Sequence, residues 1–318
     1  MNKGLSANSL MAHIRDKHGI DIRGSKHKSK LMTMGYYHGY KGYRFCRKVR
    51  NRFNFHTFDE IIAVYEFDLA IKSILYTPIM MFESVIKNYI IDELVSQSNA
   101  DFESIYSTKL AAYKNTDNSS QIMQEKLKVR KDIHDAIHFN YPKNPMIENK
   151  INKNESLPLW IIFEILTLNK VAAFTKTLND IYRVNILKSL SIYDPMDTNG
   201  AHLYNHMFIL NDLRNGVAHD HIIFDCRFRK RKINNTLKND ITTKVGANNI
   251  HFTSIADYFI LILIYLKSFG ATKTERRRLI TSFENEVTKL DNSIPKSEFH
   301  KILGTDIYQK IQSMKNNS

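Results

Sequence analysis

Along most of the chain apolar side chains recur every three or four positions, the spacing of one face of a helix. The longest such stretch is residues 58–95, "FDEIIAVYEFDLAIKSILYTPIMMFESVIKNYIIDELV". Ile61, Val64, Tyr65, Leu69, Ile71 and Leu75, then Phe82, Val85, Ile86, Tyr89, Ile90 and Leu94, run through it as near-continuous stripes. Pro78 lacks a backbone donor and predicts a kink or a division into two helices. Glu66, Asp68 and Glu83 interrupt the stripes. Acidic residues in such a helix more often face solvent, but Glu83 sits close enough to the apolar positions to reach inward.

The same period marks other segments. "LPLWIIFEILTLNKVAAFTKTLNDIY" (157–182) predicts a helix with Pro158 in its first turn and Trp160, Phe163, Ile165, Leu166, Val171 and Phe174 in the core. Leu203, Met207, Leu210 and Leu213 share one stripe, and 252–269 and 274–290 repeat the theme ahead of a polar tail. Near the start, Leu5, Leu10, Met11 and Ile14 have helical spacing with Gly19 as a stop, followed by a solvated basic segment, "RGSKHKSK", at 23–30. Residues 98–156 are polar and predict a helix or two between Asn-rich linkers, one of them "KNTDNSSQ" at 114–121. No long segment alternates as a strand would, and no internal repeat is visible. The expected fold class is all-α: a basic, aromatic segment (1–55), a helical core (56–270), and a C-terminal helical extension and tail (271–318).

Composition adds a partner class. The 318 residues include only 11 Gly and 6 Pro, which suits long helices, and carry a formal net charge of +14. A surface this positive attracts polyanions and gains from counterion release on binding them. Nucleic acid is the first candidate and an anionic membrane surface the second. The longest uninterrupted apolar run, Tyr258–Leu266, is about half of the ~20 residues a spanning helix needs. The N-terminal "MNKGLSANSLMAHIRDKHG" lacks the apolar centre of a signal peptide, so a cytoplasmic protein without a membrane partner is expected. Cys46 and Cys226 are the only cysteines, too few for a disulfide framework or a paired metal-ligand spacing, and no cofactor is expected.

The tract "MGYYHGYKGYRFCRKVRNRF" (34–53) interleaves Tyr36, Tyr37, Tyr40 and Tyr43 with Lys41, Arg44, Arg47, Lys48, Arg50 and Arg52. Aromatics that stack on bases, beside cations that meet phosphates, suit RNA binding. An equally open reading is that the tyrosines pack this piece against the core while the cations stay solvated.

"NDLRNGVAHDH" (211–221) concentrates an arginine, an Asn-Gly pair, two histidines and two aspartates after a helical stripe. In an unbroken helix Arg214 and His219 lie roughly 140° apart and share no face. Asn215-Gly216 is a turn signal, and a helix ending near Arg214 would let the chain bring His219 back beside it. A guanidinium and an imidazole together suit cleavage of an RNA phosphodiester. The first forks onto phosphate oxygens as charge develops, and the second moves a proton to or from the 2′-hydroxyl or the leaving oxygen, with no metal required. The spacing alone is unspecific. With 15 Arg and 13 His, about two matches are expected by chance, and Arg50…His56 is a second one. A helix-ending turn with local hydrogen bonds is the alternative.

Four ordered segments give the motif context. "GYYHGYKGYRF" (35–45), "FDEIIAVYEFDLAIKSILYTPIMMFESVIKN" (58–88), "LPLWIIFEILTLNKV" (157–171) and "LNDLRNGVAHDHIIFDCRF" (210–228) together resemble the Abi-like family of bacterial abortive-infection proteins, within the HEPN superfamily. Asn169 stands where that family usually has Gly, and Asp220 where it tends to have a second His, with His221 one residue later. The resemblance implies a HEPN-type helical bundle, a metal-independent endoribonuclease producing a cyclic phosphate, and a role in phage defence or as a toxin. It makes Arg214 and His219 the catalytic pair, Asn215 a helper, and Glu83 a polar partner from another helix. It also implies a homodimer in which two motifs face each other, and a cognate structured RNA that restrains the protein. "CRFRKRK" (226–232) follows the motif directly, with Arg227, Arg229, Lys230 and Arg231 as RNA-backbone contacts or as a solvated loop. A non-catalytic RNA-binding module on the same scaffold, and a basic DNA-binding regulator, remain as alternatives.

Overall fold

The computed structural model describes residues 6–96, 99–111 and 118–318; Leu5 and positions 114–117 of the Asn-rich stretch lie outside them. Among the described residues the structure is all-α: fifteen α-helices, one π-helical turn and only isolated β-bridges. In chain order these are α1 (Ala7–His18), α2 (Gly24–Met34), the π-helical turn (Gly35–Tyr40), α3 (Phe58–Val95), α4 (Phe102–Thr108), α5 (Ser119–Asn140), α6 (Pro145–Asn152) and α7 (Leu159–Ile165). They continue with α8 (Leu168–Thr177), α9 (Asp180–Ser189), α10 (Ala201–Ala218), α11 (Asn235–Val245), α12 (Ile255–Ser268), α13 (Lys273–Asp291), α14 (Lys296–Leu303) and α15 (Ile307–Asn316).

Local signals account for most boundaries. Ser6 caps α1 by accepting from the Ser9 amide, and Gly19, with φ 68°, ends it as its spacing predicts. The basic segment 23–30 is the opening of α2, with Lys26 and Lys28 exposed. Thr272 and Glu275 form a reciprocal capping box at the start of α13. Pro78 does not divide the long apolar element: α3 runs through it as one helix. Where one helix is predicted over 157–182 there are three. Pro158 precedes α7 as its cap rather than lying in its first turn, and the backbone turns extended at Leu166 and Thr167 and again at Leu178.

The chain divides into two compact units, one of Met1–Pro78, Leu213–Leu263 and Ala271–Ser318, the other of Ile79–Asp212 and Ile264–Gly270. The expected N-terminal segment and C-terminal extension both belong to the first. Its core is aromatic: Tyr40, Tyr43, Phe58, Phe67, Phe224, Phe252, Tyr258 and Phe259 are all at most 2% exposed. Tyr43 stacks on Phe224 at 5.5 Å and Phe259 on Phe283 at 4.6 Å. Each such burial contributes on the order of 1.5–3 kcal/mol. In the second unit Phe82 meets Tyr265 edge-on at 4.7 Å and Phe163 meets Phe174 at 5.3 Å. The Lys87 ammonium donates to the Leu166 carbonyl (2.8 Å), satisfying an acceptor that the break between α7 and α8 leaves without a helical partner.

By length and composition α3 is the one described helix that could cross a membrane. Its inward row is occupied by protein: Ile61, Val64, Ile71 and Leu75 in the first unit and Ile79, Phe82, Ile86, Ile90 and Leu94 in the second are at most 1% exposed. A core helix of this kind passes the same compositional test.

Candidate functional site

Arg214 and His219 lie in the first unit, and the backbone that carries them differs from expectation. α10 does not stop at Asn215-Gly216 but continues to Ala218. Gly216 serves a different purpose from ending the helix. A Cβ there would lie 2.8 Å from Ile223 Cγ2, so the bare α-carbon lets the returning chain lie against the helix. The stop comes at Asp220, whose φ of 51° is left-handed. The His221 N–H donates to the Gly216 carbonyl (2.9 Å) and the His219 N–H to that of Asn215 (3.1 Å). The first is the 6→1 bond of a Schellman motif and the second the last i→i−4 bond of the helix, with Asp in the left-handed place that Gly commonly fills, a substitution that short polar side chains tolerate.

Arg214 therefore sits one turn inside the helix end and His219 is the first residue past it. The backbone stays helical through Ala218, so the two positions keep the roughly 140° offset of a continuing helix. Arg214 is half-buried, its Nη1 3.3 Å from Asn215 Oδ1. His219 is exposed, its ring centre 6.0 Å from that of the exposed His221. Glu83, expected as a partner, belongs to the second unit, where the Lys87 ammonium stands 3.3 Å from its carboxylate.

What braces the motif is an acid of a type that more often faces solvent in such a helix. Asp68 of α3 is fully buried. Its Oδ1 accepts the backbone N–H groups of Ile223 (2.8 Å) and Phe224 (2.7 Å), and its Oδ2 accepts the Tyr43 hydroxyl (2.7 Å). The Lys72 ammonium, one turn on, is 2.8 Å from Asp68 Oδ2 and 2.6 Å from Asp220 Oδ1. A line of alternating charge thus runs from the core to the residue between the two histidines. Burial alone would lower the Lys72 ammonium, but Asp68 and Asp220 outweigh it and hold it above the ordinary lysine value. Burial, then Asp68, pushes the Tyr43 phenol far above its usual range, so it stays a donor. The signal was present in the sequence: Asp68 falls on the 61–64–68–71–75 row, where a solvated acid has no place.

Asp225, also fully buried, does the same for the aromatic tract. It accepts the Arg47 N–H, and the Arg227 guanidinium grips it through Nε (2.9 Å) and Nη2 (2.8 Å). Arg227 reaches on to the Phe45 carbonyl (3.0 Å) and lies 4.4 Å from that ring. Arg229 donates to the carbonyls of His251 (2.9 Å) and Phe252 (3.3 Å). Of the cations expected to meet RNA, Arg47, Arg227 and Arg229 are thus held in contacts that tie the tract and the strand of chain after the motif together. Lys230 and Arg231 are exposed beyond them.

The tyrosines separate in the same way. Tyr40 is fully buried, its hydroxyl hydrogen-bonded to His18 Nδ1 (2.8 Å), so the packing reading holds for it and no face is open to a base. Tyr36 is half-buried, and Tyr37 is 81% exposed. Lys41 lies 5.1 Å from each of their rings, and Arg44 lies 5.0 Å from that of Tyr40. Gly42 lets this tract close onto the chain after the motif, since a Cβ there would meet Ile222 Cδ1 at 2.5 Å.

A helical protein whose aromatic N-terminal tract and Arg214…His219 segment are bound through the same buried carboxylates is the class that the geometry defines. A family model described as Abi-like protein matches residues 29–225, which takes in both parts. The chain belongs to the Abi-like family, and the family suggests a place in abortive infection, a defence against phage. No curated protein and no solved structure matches the chain.

Proposed function

We propose that this Abi-like protein is a metal-independent endoribonuclease of the HEPN type, with Arg214 and His219 as its catalytic pair. The observation that carries the reading is the exposed His219, held at a helix end whose neighbour Asp220 is tied through Lys72 to the buried Asp68. A surface imidazole on a rigid support suits proton transfer, and a nearby half-buried guanidinium suits a phosphate. In the proposed step the 2′-oxygen of the RNA attacks the adjacent phosphorus as its proton leaves to a base, and the bond from phosphorus to the 5′-oxygen breaks. That oxygen takes up a proton, leaving a 2′,3′-cyclic phosphate and a 5′-hydroxyl. Arg214 faces the oxygens that gain charge, His219 moves a proton, and Asn215 orients the Arg214 guanidinium it adjoins.

The helical offset of Arg214 and His219 within one chain favours a site completed by a second copy, and a homodimer is part of the proposal. A cognate structured RNA as restraint fits the +14 charge. The test is cleavage of single-stranded RNA by the purified chain in the presence of a chelator. Arg214→Ala and His219→Ala should each lower the rate by about 100-fold or more, with cyclic-phosphate ends on the wild-type product. Cleavage by the double variant at the wild-type rate would overturn the assignment.

A further inference from the structure

The first unit holds a second gathering of cations that the motif does not use. His13 and His18 of α1 meet edge-on, ring centres 4.8 Å apart. His13 is 6.3 Å from the Tyr36 ring, His18 is 5.6 Å from the Tyr40 ring, and those two tyrosines stack on each other at 5.5 Å. Lys41 stands over Tyr36 and Arg44 over Tyr40. Arg52, exposed, is bridged antiparallel to Phe45, the residue after Arg44, and with Arg44, His13 and Lys41 it acts electrostatically on His18.

The acids needed to balance this cluster are missing. Among the described residues none of His13, His18, Lys41, Arg44 or Arg52 forms an ion pair, and the nearby Asp16 and Asp21 pair with Arg15 and Arg23. Elsewhere in the same unit cations withdrawn from solvent are matched, as the half-buried Arg227 is by Asp225 and the buried Lys72 by Asp68. Like charges brought together around half-buried rings repel one another unless an anion sits among them. Two guanidinium forks and an imidazole are the donor set that suits the oxygens of a phosphoryl group.

We propose that His18, Arg44, Arg52 and Lys41, backed by His13, form a subsite for a phosphoryl group of RNA. The exposed Tyr37, which shares Lys41 with Tyr36, supplies a stacking face for an adjoining base. The phosphoryl chemistry comes from the cluster itself; that the carrier is RNA rests on the ribonuclease reading. In the free protein burial first, and then Arg44, His13, Arg52 and Lys41, hold the His18 imidazole down at about 4. A bound anion replaces repulsion by attraction, so the bound value is higher and binding takes up a proton. Affinity therefore rises as pH falls through the bound value and levels off below about 4.

The test uses the full chain carrying His219→Ala, so that RNA stays intact. Binding of short single-stranded RNA with a 5′-monophosphate or a 5′-hydroxyl end is measured by fluorescence anisotropy across pH and salt, with inorganic phosphate as competitor. Arg44→Gln with Arg52→Gln should weaken binding about tenfold or more at low salt. It should also reduce the slope of log affinity against log salt by about 0.7 per lost contact. His18→Gln should flatten the pH dependence. Preference for the 5′-monophosphate identifies a terminal phosphoryl group as the occupant, and equal binding identifies an internal phosphodiester. Unchanged affinity and salt slope in the folded double variant would overturn the subsite. If that variant fails to fold by circular dichroism, Lys41→Gln with Arg52→Gln, both at exposed positions, takes its place under the same criteria. Cleavage that depends on Arg214 and His219 while binding ignores Arg44 and Arg52 sinks the subsite alone. RNA binding through the subsite by a wild-type chain that never cleaves RNA sinks the ribonuclease reading alone.

Discussion

Asp68 is one carboxylate serving four donors: two backbone amides of the chain after the motif, a tyrosine hydroxyl from the aromatic tract, and Lys72. Asp68→Ala strands two buried amides and leaves the buried Lys72 ammonium with only the exposed Asp220, a loss of about 3–5 kcal/mol on the scale of broken buried pairs. Asp68→Asn keeps an acceptor for the amides and should cost about 1–3 kcal/mol. Urea denaturation read at equal slope gives both values, and a cost below about 1 kcal/mol for the alanine would remove Asp68 from its bracing role. At this scale the sequence told part of the story. Burial of Tyr40 and Tyr43 was one of two open readings of the tract, since a tyrosine beside arginines looks the same whether its ring meets a base or a core. Asp68 is hidden for a different reason: an acid reads as solvated unless its partners are known, and all of these but Lys72 lie 25 to 156 residues away.

α10 shows how packing overrides a local signal. Asn-Gly favours a turn when nothing else acts on it, yet here the pair is regular helix because the chain returns against Gly216. In an open helix Gly→Ala is worth about 1 kcal/mol of added stability. Gly216→Ala should instead lose about 1–3 kcal/mol, because its Cβ would press on Ile223 Cγ2. Ile223→Ala removes that carbon, so a double-mutant cycle on the two positions should show that the second substitution relieves part of the first. Strict additivity would mean the contact does not decide why Gly is there. The helices themselves were legible wherever apolar spacing persisted, as in α3, α12 and α13. The breaks between α7, α8 and α9 were not, because Leu166 and Leu178 are as apolar as the helices they interrupt and only the backbone changes.

Over the whole molecule, segments far apart in sequence are held by single buried pairs. Asp257 of α12 is fully buried, accepts the amides of His251 and Phe252, and meets the Lys310 ammonium of α15 at 2.8 Å. Lys310→Met leaves that carboxylate uncompensated and should cost about 3–5 kcal/mol, whereas adding Asp257→Asn should recover part of the loss. A thermal melt of the single and double variants decides it, and equal melting temperatures for all three proteins would show that the pair carries no weight.

The first unit is assembled from three separated stretches, 1–78, 213–263 and 271–318, whereas the second is nearly continuous. During synthesis the aromatic tract and most of α3 leave the ribosome long before the segment carrying Arg214 and His219, and the helices that complete their unit come later still. Closing so wide a loop is slow. The bed on which His219 stands joins Tyr43 and Asp68 to Ile223 and Phe224, so a copy cut short before residue 224 cannot assemble it.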